Sequence, residues 1–389
     1  MSKYIKIDMT YIMSILMIFA TLISLSFVPK YSSIREMLII IVGLYVLIMI
    51  PKLVKKTSYV MWILLSLFCA VTIGTSYVHR VEYQNQDIFM ASLKYALSLV
   101  EIYAMLNLLV IEGKLQSFIN VFYKLLFGIL ICNDIIAFIS GYNHITFLLG
   151  TKFAVVYWHL FWIALYLYLH DTQNIKWGTI ALFMSYMVVL CLWISCATGI
   201  VGTFIFVVMY MFFTNAYTIL GNKWVYLLFL LICGSFAFTY TFVLNSALVQ
   251  KVVTEYLGRS LTLTGRVNIY ELLPLILLQR PWFGYGFGTT YTVYMFFTGY
   301  ADSQNGIVEW MSQVGVIGTI FLIGFMTYMF AFANKYKSIR KVIYPFIILI
   351  YIFIFISTVE ISYNRIFLSI LGIIWAIALG NEGEINEEN

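Results

Sequence analysis

The chain has 389 residues, of which 62% are hydrophobic and only 10% are charged, and its formal net charge is +6. Soluble domains carry about 25% charged residues, and a mean hydropathy of +0.94 is incompatible with a soluble surface. The composition excludes a soluble enzyme and indicates an integral membrane protein. In such a chain the positive charge is not a nucleic-acid signal, and no nucleic-acid partner is expected.

Twelve apolar runs bounded by charge, Pro or Gly are predicted to span the membrane, which gives an all-α polytopic protein with a single membrane domain over residues 1–389. The runs are Thr10–Val28, Met37–Ile50, Ser58–Val78, Ile88–Ile111, Ser117–Ser140, Phe153–Leu169, Trp177–Cys196, Gly199–Asn215, Trp224–Leu244, Val308–Phe332, Val342–Val359 and Ile366–Gly380. The seventh and eighth runs are broken only at Ser195–Gly199, so a re-entrant pair is the alternative there.

Basic residues give the orientation, because cytoplasmic loops of membrane proteins are enriched in Lys and Arg. Twelve spans put both termini on one side, and the richer loops assign that side to the cytoplasm. The short outer loops hold few basic residues: Lys30, Arg35, Arg80, Lys152 and Arg365. Residues 381–389 form an acidic cytoplasmic tail that is predicted to be disordered.

Charged residues inside the runs are expected to face the bundle interior and to pair between helices. This applies to Lys94 and Glu101 on the fourth span and to Lys124 and Asp134 on the fifth, and we favour it over a role in substrate passage. His159 on the sixth span is expected to be a packing residue. The five cysteines lie in apolar runs without a CxxC pair, so no disulfide, metal site or cofactor is expected.

One long outer loop, from about Asn245 to Asn305, separates the ninth and tenth runs. Connections without structure of their own rarely exceed about 12–15 residues unless they are functional or disordered, and this loop is too apolar to be disordered. Helical spacing over Val249–Leu257 predicts an amphipathic interfacial helix, and Val267–Leu278 predicts a second helix with a kink at Pro274. We therefore expect the chemistry in this loop.

Two turn-rich pieces flank the second helix of the loop. One carries Arg259 and Arg266, and the other, the aromatic-glycine turn Arg280–Gly288, alternates rings and glycines around Tyr285 and Gly286. Arginine grips phosphate with two parallel hydrogen bonds, and glycine lets backbone approach a ligand closely. The two turn-rich pieces therefore predict a binding surface for an anionic substrate that is anchored in the membrane. The alternatives are arginines that contact lipid head groups and a plain turn in an aromatic belt.

The order of TGR at Thr264–Arg266, an apolar helix, RPWFGYGFG and then SQNGIVEWMSQVGVIG at Ser303–Gly318 resembles the signature region of the O-antigen polymerase and ligase superfamily. The match covers about residues 258–318. Members of that family transfer a glycan from a polyprenyl diphosphate to a hydroxyl acceptor outside the cytoplasmic membrane, with no known metal. The resemblance implies that Arg266 faces the diphosphate and that Arg259 assists it.

Two departures from the family favour its polymerase branch over its ligase branch. The family often has His-Asn where this chain has Gln304-Asn305, and glutamine cannot act as a base. Many members also carry a cation in the outer turn after the seventh span, whereas Ser195–Gly199 has none. The base is unassigned, with Asp302 and Glu309 as the nearest carboxylates. Glu360, Asn364 and Arg365 in the last outer turn are expected to border the active cavity.

The expected function is polymerisation of lipid-linked oligosaccharide repeat units into a capsular or O-antigen-type polysaccharide at the cell membrane. The candidate catalytic residues are Arg266, Arg259, Gln304 and Asn305, and the candidate substrate-binding residues are Arg280, Tyr285, Gly286, Asp302 and Glu309. The expected partners are the lipid-linked oligosaccharide, membrane lipids, a flippase and a chain-length regulator. The alternatives are a ligase-like glycan transferase and a flippase of lipid-linked glycans.

Overall fold

The computed structural model describes residues 8–54, 58–140, 146–170, 177–244, 250–251, 255 and 266–387. Most of these residues are helical, and the strands among them, β1 (Thr146–Phe147) and β2 (Gly150–Thr151), form one short antiparallel hairpin. The predicted all-α class is confirmed.

The helices follow the predicted apolar runs in order, with short additional helices in the connections. They are α1 (Met9–Met17, continued by a π-helical turn over Ile18–Leu22), α2 (Tyr31–Leu53), α3 (Tyr59–His79), α4 (Ile88–Ile111), α5 (Leu115–Ser140), α6 (Lys152–Leu169), α7 (Trp177–Trp193), α8 (Ala197–Phe212), α9 (Tyr217–Leu220), α10 (Lys223–Leu244), α11 (Arg266–Gln279), α12 (Thr290–Thr298), α13 (Gly306–Ala333), α14 (Lys337–Val342), α15 (Tyr344–Ile356) and α16 (Arg365–Glu387).

Seven of the described helices are long and apolar enough to cross a membrane, namely α2 to α6, α10 and α13. Five more apolar stretches have 10–17 residues, in α1 with its π-turn, α7, α8, α15 and α16. A full crossing takes about 20 residues. The membrane class is therefore confirmed, whereas the count of twelve spans stays a prediction.

Helices α4 and α15 lie inside the bundle, and α2 lies at its edge. The segment of α4 from Glu101 to Leu109 is wholly buried, and so is almost all of α15. In contrast, α2 exposes most of Leu44, Leu47 and Ile48. Such a surface is unfavourable in water but suits lipid tails, which are as apolar as leucine.

An ionic cluster ties together three helix ends that are predicted to lie on the inner side. Glu112 after α4 lies 2.5 Å from both Lys52 Nζ of α2 and Lys114 Nζ. Lys114 Nζ also lies 2.6 Å from Asp8, the N-cap of α1. The cluster fixes α1, α2 and α4 side by side at one end of the bundle.

Several boundaries differ from the prediction, among them the start of α2, which lies at Tyr31 instead of Met37. The first helical segment ends at Leu22 instead of Val28, because Tyr31 and Arg35 of α2 bind carbonyl groups in its last turn, at 2.9 and 2.8 Å. The predicted disorder of residues 381–389 is wrong as far as Glu387, because α16 meets no proline there and continues through glutamates, which are good helix formers. The amphipathic helix predicted over Val249–Leu257 lies almost wholly outside the described residues.

Of the charged groups predicted to pair on the fourth and fifth spans, Lys94 and Asp134 have partners on other helices, whereas Glu101 and Lys124 form no ion pair among the described residues. Lys94 Nζ lies 2.6 Å from Glu36 Oε1 of α2, while both carboxylate oxygens of Glu101 have no partner among the described residues. Asp134 accepts from His159 Nε2 of α6 at 3.0 Å. The prediction that His159 only packs is therefore wrong.

Helix α13 is broken at Gly315, where φ is 67° and ψ is −174°. The break separates the amides of Val316 and Ile317 from the carbonyl groups one turn earlier, which they would bind in a regular helix. They donate instead to the carbonyl groups of Pro281, at 2.8 Å, and Trp282, at 3.2 Å. The aromatic-glycine turn thus satisfies the amide side of the break.

The same turn satisfies the carbonyl side of the break. Ser312 O accepts from Tyr285 N at 2.8 Å, and Gln313 O accepts from Gly286 N at 2.9 Å. The close backbone approach that we predicted for a ligand is therefore made to α13, and Gly286 is a structural residue. These four hydrogen bonds fix the end of α11 against α13.

Gly315→Ala is expected to destabilise the protein by about 3 kcal/mol or more. Alanine is strained at a φ of 67°, and its Cβ would overlap backbone atoms of Trp282, which cannot rotate away as a side chain could. An added Cβ would lie 2.2 Å from the carbonyl carbon of Trp282. Thermal unfolding of the purified protein measures the effect. The control is Gly74→Ala in α3, where an added Cβ meets nothing within 4 Å. Equal midpoints for the two variants would contradict the structural role of the break.

Candidate functional site

Four segments that lie far apart in the sequence meet around one cavity of about 400 Å³, which we call the Arg266 cavity. Its lining residues are Thr151, Lys152, Phe153, Ala154, Tyr157, Arg266, Asp302, Gln304, Glu360, Ile361 and Asn364. They come from the starts of α6 and α11, the segment before α13, and the turn between α15 and α16. All four segments are predicted to lie at outer helix ends.

Arg266 begins α11, and its guanidinium group is held on two sides. Nε donates to Val359 O at 2.9 Å, and Nη2 lies 2.5 Å from Glu360 Oε1. The two side chains are only 18% and 7% exposed. A lone charge at such burial is costly, so each partner stabilises the charged form of the other. Arg259, its predicted helper, lies outside the described residues.

Glu360 lies in the turn between α15 and α16 and is buried. Burial raises the pKa of its carboxyl group to about 7; Arg266 opposes this rise and Asp302 adds to it. A carboxyl group with a pKa near the working pH is suited to accept a proton in a reaction. The sequence prediction placed Glu360 at the border of the active cavity but did not predict its pairing with Arg266, which is 94 positions away in the chain.

Two predicted residues, Asp302 and Gln304, reach the same cavity. The Asp302 carboxylate accepts from the backbone amide of Gln304 at 3.0 Å and also from its side-chain amide. Gln304 has a left-handed φ of 54°, and its carbonyl group accepts from Tyr270 Oη of α11 at 3.0 Å. The structure thus brings Arg266, Asp302 and Gln304 together.

Asn305 is buried and does not line the Arg266 cavity. It is the N-cap of α13, where its Oδ1 accepts from the amides of Ile307 and Val308, both at 3.1 Å. Its Nδ2 lies 3.4 Å from Cys233 O. The amide group is used within the protein, so Asn305, a predicted catalytic residue, has a structural role at the start of α13.

Lys152 supplies a cation that the sequence prediction did not place in the site. Its Nζ donates to Ser195 O, in the break between α7 and α8, at 3.1 Å. This is the outer turn that carries no cation of its own in this chain. A lysine from the start of α6 therefore occupies that place, which only the packing of α6 against the break reveals.

Arg280 and Tyr285, both predicted to bind substrate, do not line the Arg266 cavity. Arg280 lies at the other end of α11, where Nη1 is 2.6 Å from His79 Nδ1 and Nη2 is 2.6 Å from Glu82 Oε2. Tyr285 is buried, and its hydroxyl donates to Ile276 O at 2.7 Å. Both residues hold the aromatic-glycine turn in place.

Glu309 is buried in α13 and lines a neighbouring cavity of about 370 Å³, the Glu309 cavity. Its carboxylate accepts from Thr290 at 2.6 Å, from Gln313 at 2.7 Å and from Ser303 at 3.0 Å. These three hydrogen bonds hold the Glu309 carboxylate in one position at the edge of the cavity. The two cavities share Ala154, Ile361 and Asn364.

Among the described residues, no group of three or more His, Cys, Asp or Glu is arranged to hold a metal ion. All five cysteines are free thiols. The polar groups that line the Arg266 cavity include an arginine, a lysine, carboxylates and amides.

No protein family matches this chain, and no curated protein matches its sequence. The resemblance to the O-antigen polymerase and ligase superfamily therefore stays a prediction.

Arg266→Gln and Glu360→Gln are each expected to destabilise the protein by about 3 kcal/mol, because each leaves a buried charge without its partner. The double variant should lose clearly less than the sum of the two. Thermal unfolding of the four proteins measures this coupling.

The matched control is the exposed pair Lys251 and Glu255, whose charged atoms are 3.9 Å apart and whose side chains are 61% and 62% exposed. Its coupling should stay below about 0.5 kcal/mol. If the losses for Arg266 and Glu360 simply add, the two residues do not stabilise each other.

Proposed function

We propose that this protein polymerises polyprenyl-diphosphate-linked oligosaccharide repeat units at the outer face of the cytoplasmic membrane. The observation that carries the proposal is the Arg266 cavity, where a buried arginine–glutamate pair, a lysine and an amide face one space of about 400 Å³. The resemblance of the segment from Thr264 to Gly318 adds support.

The two cations of the cavity are suited to a diphosphate. A diphosphate leaves with its negative charge, so its departure needs fixed positive charge more than a proton. Arg266 offers a planar fork of donors, and Lys152 offers a point charge from α6. Because Arg266 is paired with Glu360, an arriving diphosphate competes for its guanidinium group and releases the carboxylate.

Glu360 is then the proposed general base. The acceptor hydroxyl oxygen forms a bond to the anomeric carbon of the donor glycan, and the bond from that carbon to the diphosphate oxygen breaks. The hydroxyl proton passes to the Glu360 carboxylate, and the polyprenyl diphosphate leaves with the bonding electron pair. Asp302 and Gln304 orient the attacking sugar, and the reaction uses no cofactor.

The proposed topology has twelve spans and two cytoplasmic termini, so that the Arg266 cavity opens on the outer side. The five shorter apolar helices then cross with help from their flanking residues or in a locally thinned bilayer. The proposed partners are the lipid-linked oligosaccharide, membrane lipids, a flippase that delivers the substrate and a chain-length regulator.

Purified protein supplied with lipid-diphosphate-linked repeat units is expected to produce a ladder of glycan lengths. Glu360→Gln should lower the rate by about 10²–10⁴-fold and Arg266→Gln by about 10²–10³-fold. Arg80→Gln is the control, because Arg80 is an exposed outer arginine that stacks on Tyr77 away from the cavity. A single transfer to a different acceptor would indicate a ligase, and lipid movement without extension would indicate a flippase.

The rate of chain extension at low substrate concentration, which reflects the free enzyme, is expected to rise with pH and to be half-maximal at about pH 7. Glu360 accepts a proton only as a carboxylate, and its pKa of about 7 makes that form the minor one below this pH. Asp302→Asn should move the rise to lower pH, because the Asp302 charge contributes to the high pKa of Glu360. Initial rates measured over about pH 5–8 test this. A flat profile would exclude Glu360 as the base.

A further inference from the structure

A third cavity, the Lys30 cavity, has a volume of about 430 Å³ and a lining that is rich in basic side chains. Its charged lining residues are Lys30, Arg35, Glu36, Lys94 and Arg365. Four cations thus face a single carboxylate, and Glu36 is already paired with Lys94 at 2.6 Å. The Arg266 cavity differs, because its lining holds two cations and two carboxylates.

Arg365 lines both the Lys30 cavity and the Glu309 cavity. Among the described residues its side chain has no hydrogen-bond partner and no carboxylate partner, and its Nε is buried. The guanidinium carbon lies 5.2 Å from the centre of the Tyr95 ring. Stacking on a ring orients the guanidinium plane but uses none of its N–H donors, so the donors of the two terminal nitrogens stay available to an anion.

Arg35 lines the same two cavities and is anchored without being neutralised. Its Nε donates to Ala20 O at 2.8 Å, and its Nη2 donates to Thr21 O at 3.4 Å. Carbonyl groups fix the guanidinium position but leave its charge uncompensated. A partly buried, uncompensated charge is costly, and a bound anion would remove that cost.

The rest of the lining suits a lipid that carries this anion. Phe287, from the aromatic-glycine turn, lines both cavities and stacks on Tyr95 with 4.5 Å between ring centres. Leu25, Val28 and Ile39 add apolar walls to the Lys30 cavity. Cations beside an apolar wall match a phosphate group on a hydrocarbon chain.

We propose that Arg365 and Arg35 form a second binding site, for the phosphate or diphosphate group of a lipid, separate from the site at Arg266. The inference deepens the proposed function and rests on it in one respect, namely that a polymerase must hold two lipid-linked glycans at once. The Glu309 cavity borders both sites, since it shares Asn364 with the Arg266 cavity and Arg365 with the Lys30 cavity. The sugars of the two lipids can meet there.

Native mass spectrometry of the full-length protein, with farnesyl diphosphate as the probe, tests the site by counting bound molecules. The wild type is expected to bind two. Arg365→Gln and Arg266→Gln should each bind one, with affinity at the altered site reduced about ten- to hundredfold. Arg365→Lys keeps the charge and should bind two, with the second bound more weakly. Arg80→Gln is the control, because Arg80 also stacks on a tyrosine, at 3.7 Å from the Tyr77 ring centre.

A second lipid, phosphatidylglycerol, distinguishes the source of the phosphate. If it displaces one farnesyl diphosphate from the wild type and from Arg266→Gln, the site takes phospholipid head groups. If it does not, the site selects the lipid diphosphate. Two bound probes in Arg365→Gln, at a thermal midpoint equal to that of the wild type, would overturn the proposal.

The count of bound probes does not depend on glycan extension, so the two proposals fail separately. A protein that builds no ladder but loses one probe in Arg365→Gln has the second site without the proposed activity. A protein that builds a ladder and binds one probe, which only Arg266→Gln removes, has the activity without the second site. A variant that has unfolded is recognised by the absence of a cooperative thermal transition. If Arg365→Gln is unfolded, Arg35→Gln repeats the test with the other arginine of the site.

Discussion

Breaking α13 at Gly315 leaves two amides and two carbonyl groups without helical partners, in a helix that is apolar enough to cross a membrane. Lipid offers no hydrogen bonds, so another part of the protein must supply them. The aromatic-glycine turn does so with four backbone hydrogen bonds. The relative position of α11 and α13 follows, and with it the distance between Arg266 at the start of one helix and Gln304 before the start of the other.

The two groups of cations illustrate different ways to keep charge in an apolar protein. Arg266 is compensated by Glu360 at 2.5 Å, so a ligand must exchange with an existing partner. Arg365 is held by stacking, and Arg35 by carbonyl groups, so a ligand would add charge compensation where the described residues provide none. A ligand that replaces Glu360 at Arg266 releases a carboxylate, which suits a reaction step. A ligand that joins Arg365 and Arg35 displaces no carboxylate, which suits tight binding of an anion.

Hydropathy predicted the helical runs well, because apolar length and bounding charges are local properties of the chain. Local sequence also singled out Arg266, Asp302 and Gln304, which meet in one cavity. It placed Glu360 at the border of the cavity but did not predict that Glu360 pairs with Arg266 or that Lys152 reaches the site, because both depend on packing between segments far apart in the chain. The aromatic-glycine turn was recognised as a place of close backbone approach, but its partner is α13, and no sequence pattern specifies a helix break as the partner of a turn.

The left-handed backbone at Gln304 bears on how this site could be re-engineered. At φ 54° most side chains are strained, and histidine is one of the few residues that is enriched in this conformation. Histidine is also the residue that often stands at the position of Gln304 in the O-antigen polymerase and ligase superfamily, which this segment resembles. The loop is therefore already shaped to accept an imidazole in the wall of the cavity that contains Glu360. Replacing one side chain would put a second group that titrates near neutral pH beside the first, and the working pH of the site would become adjustable without rebuilding its backbone.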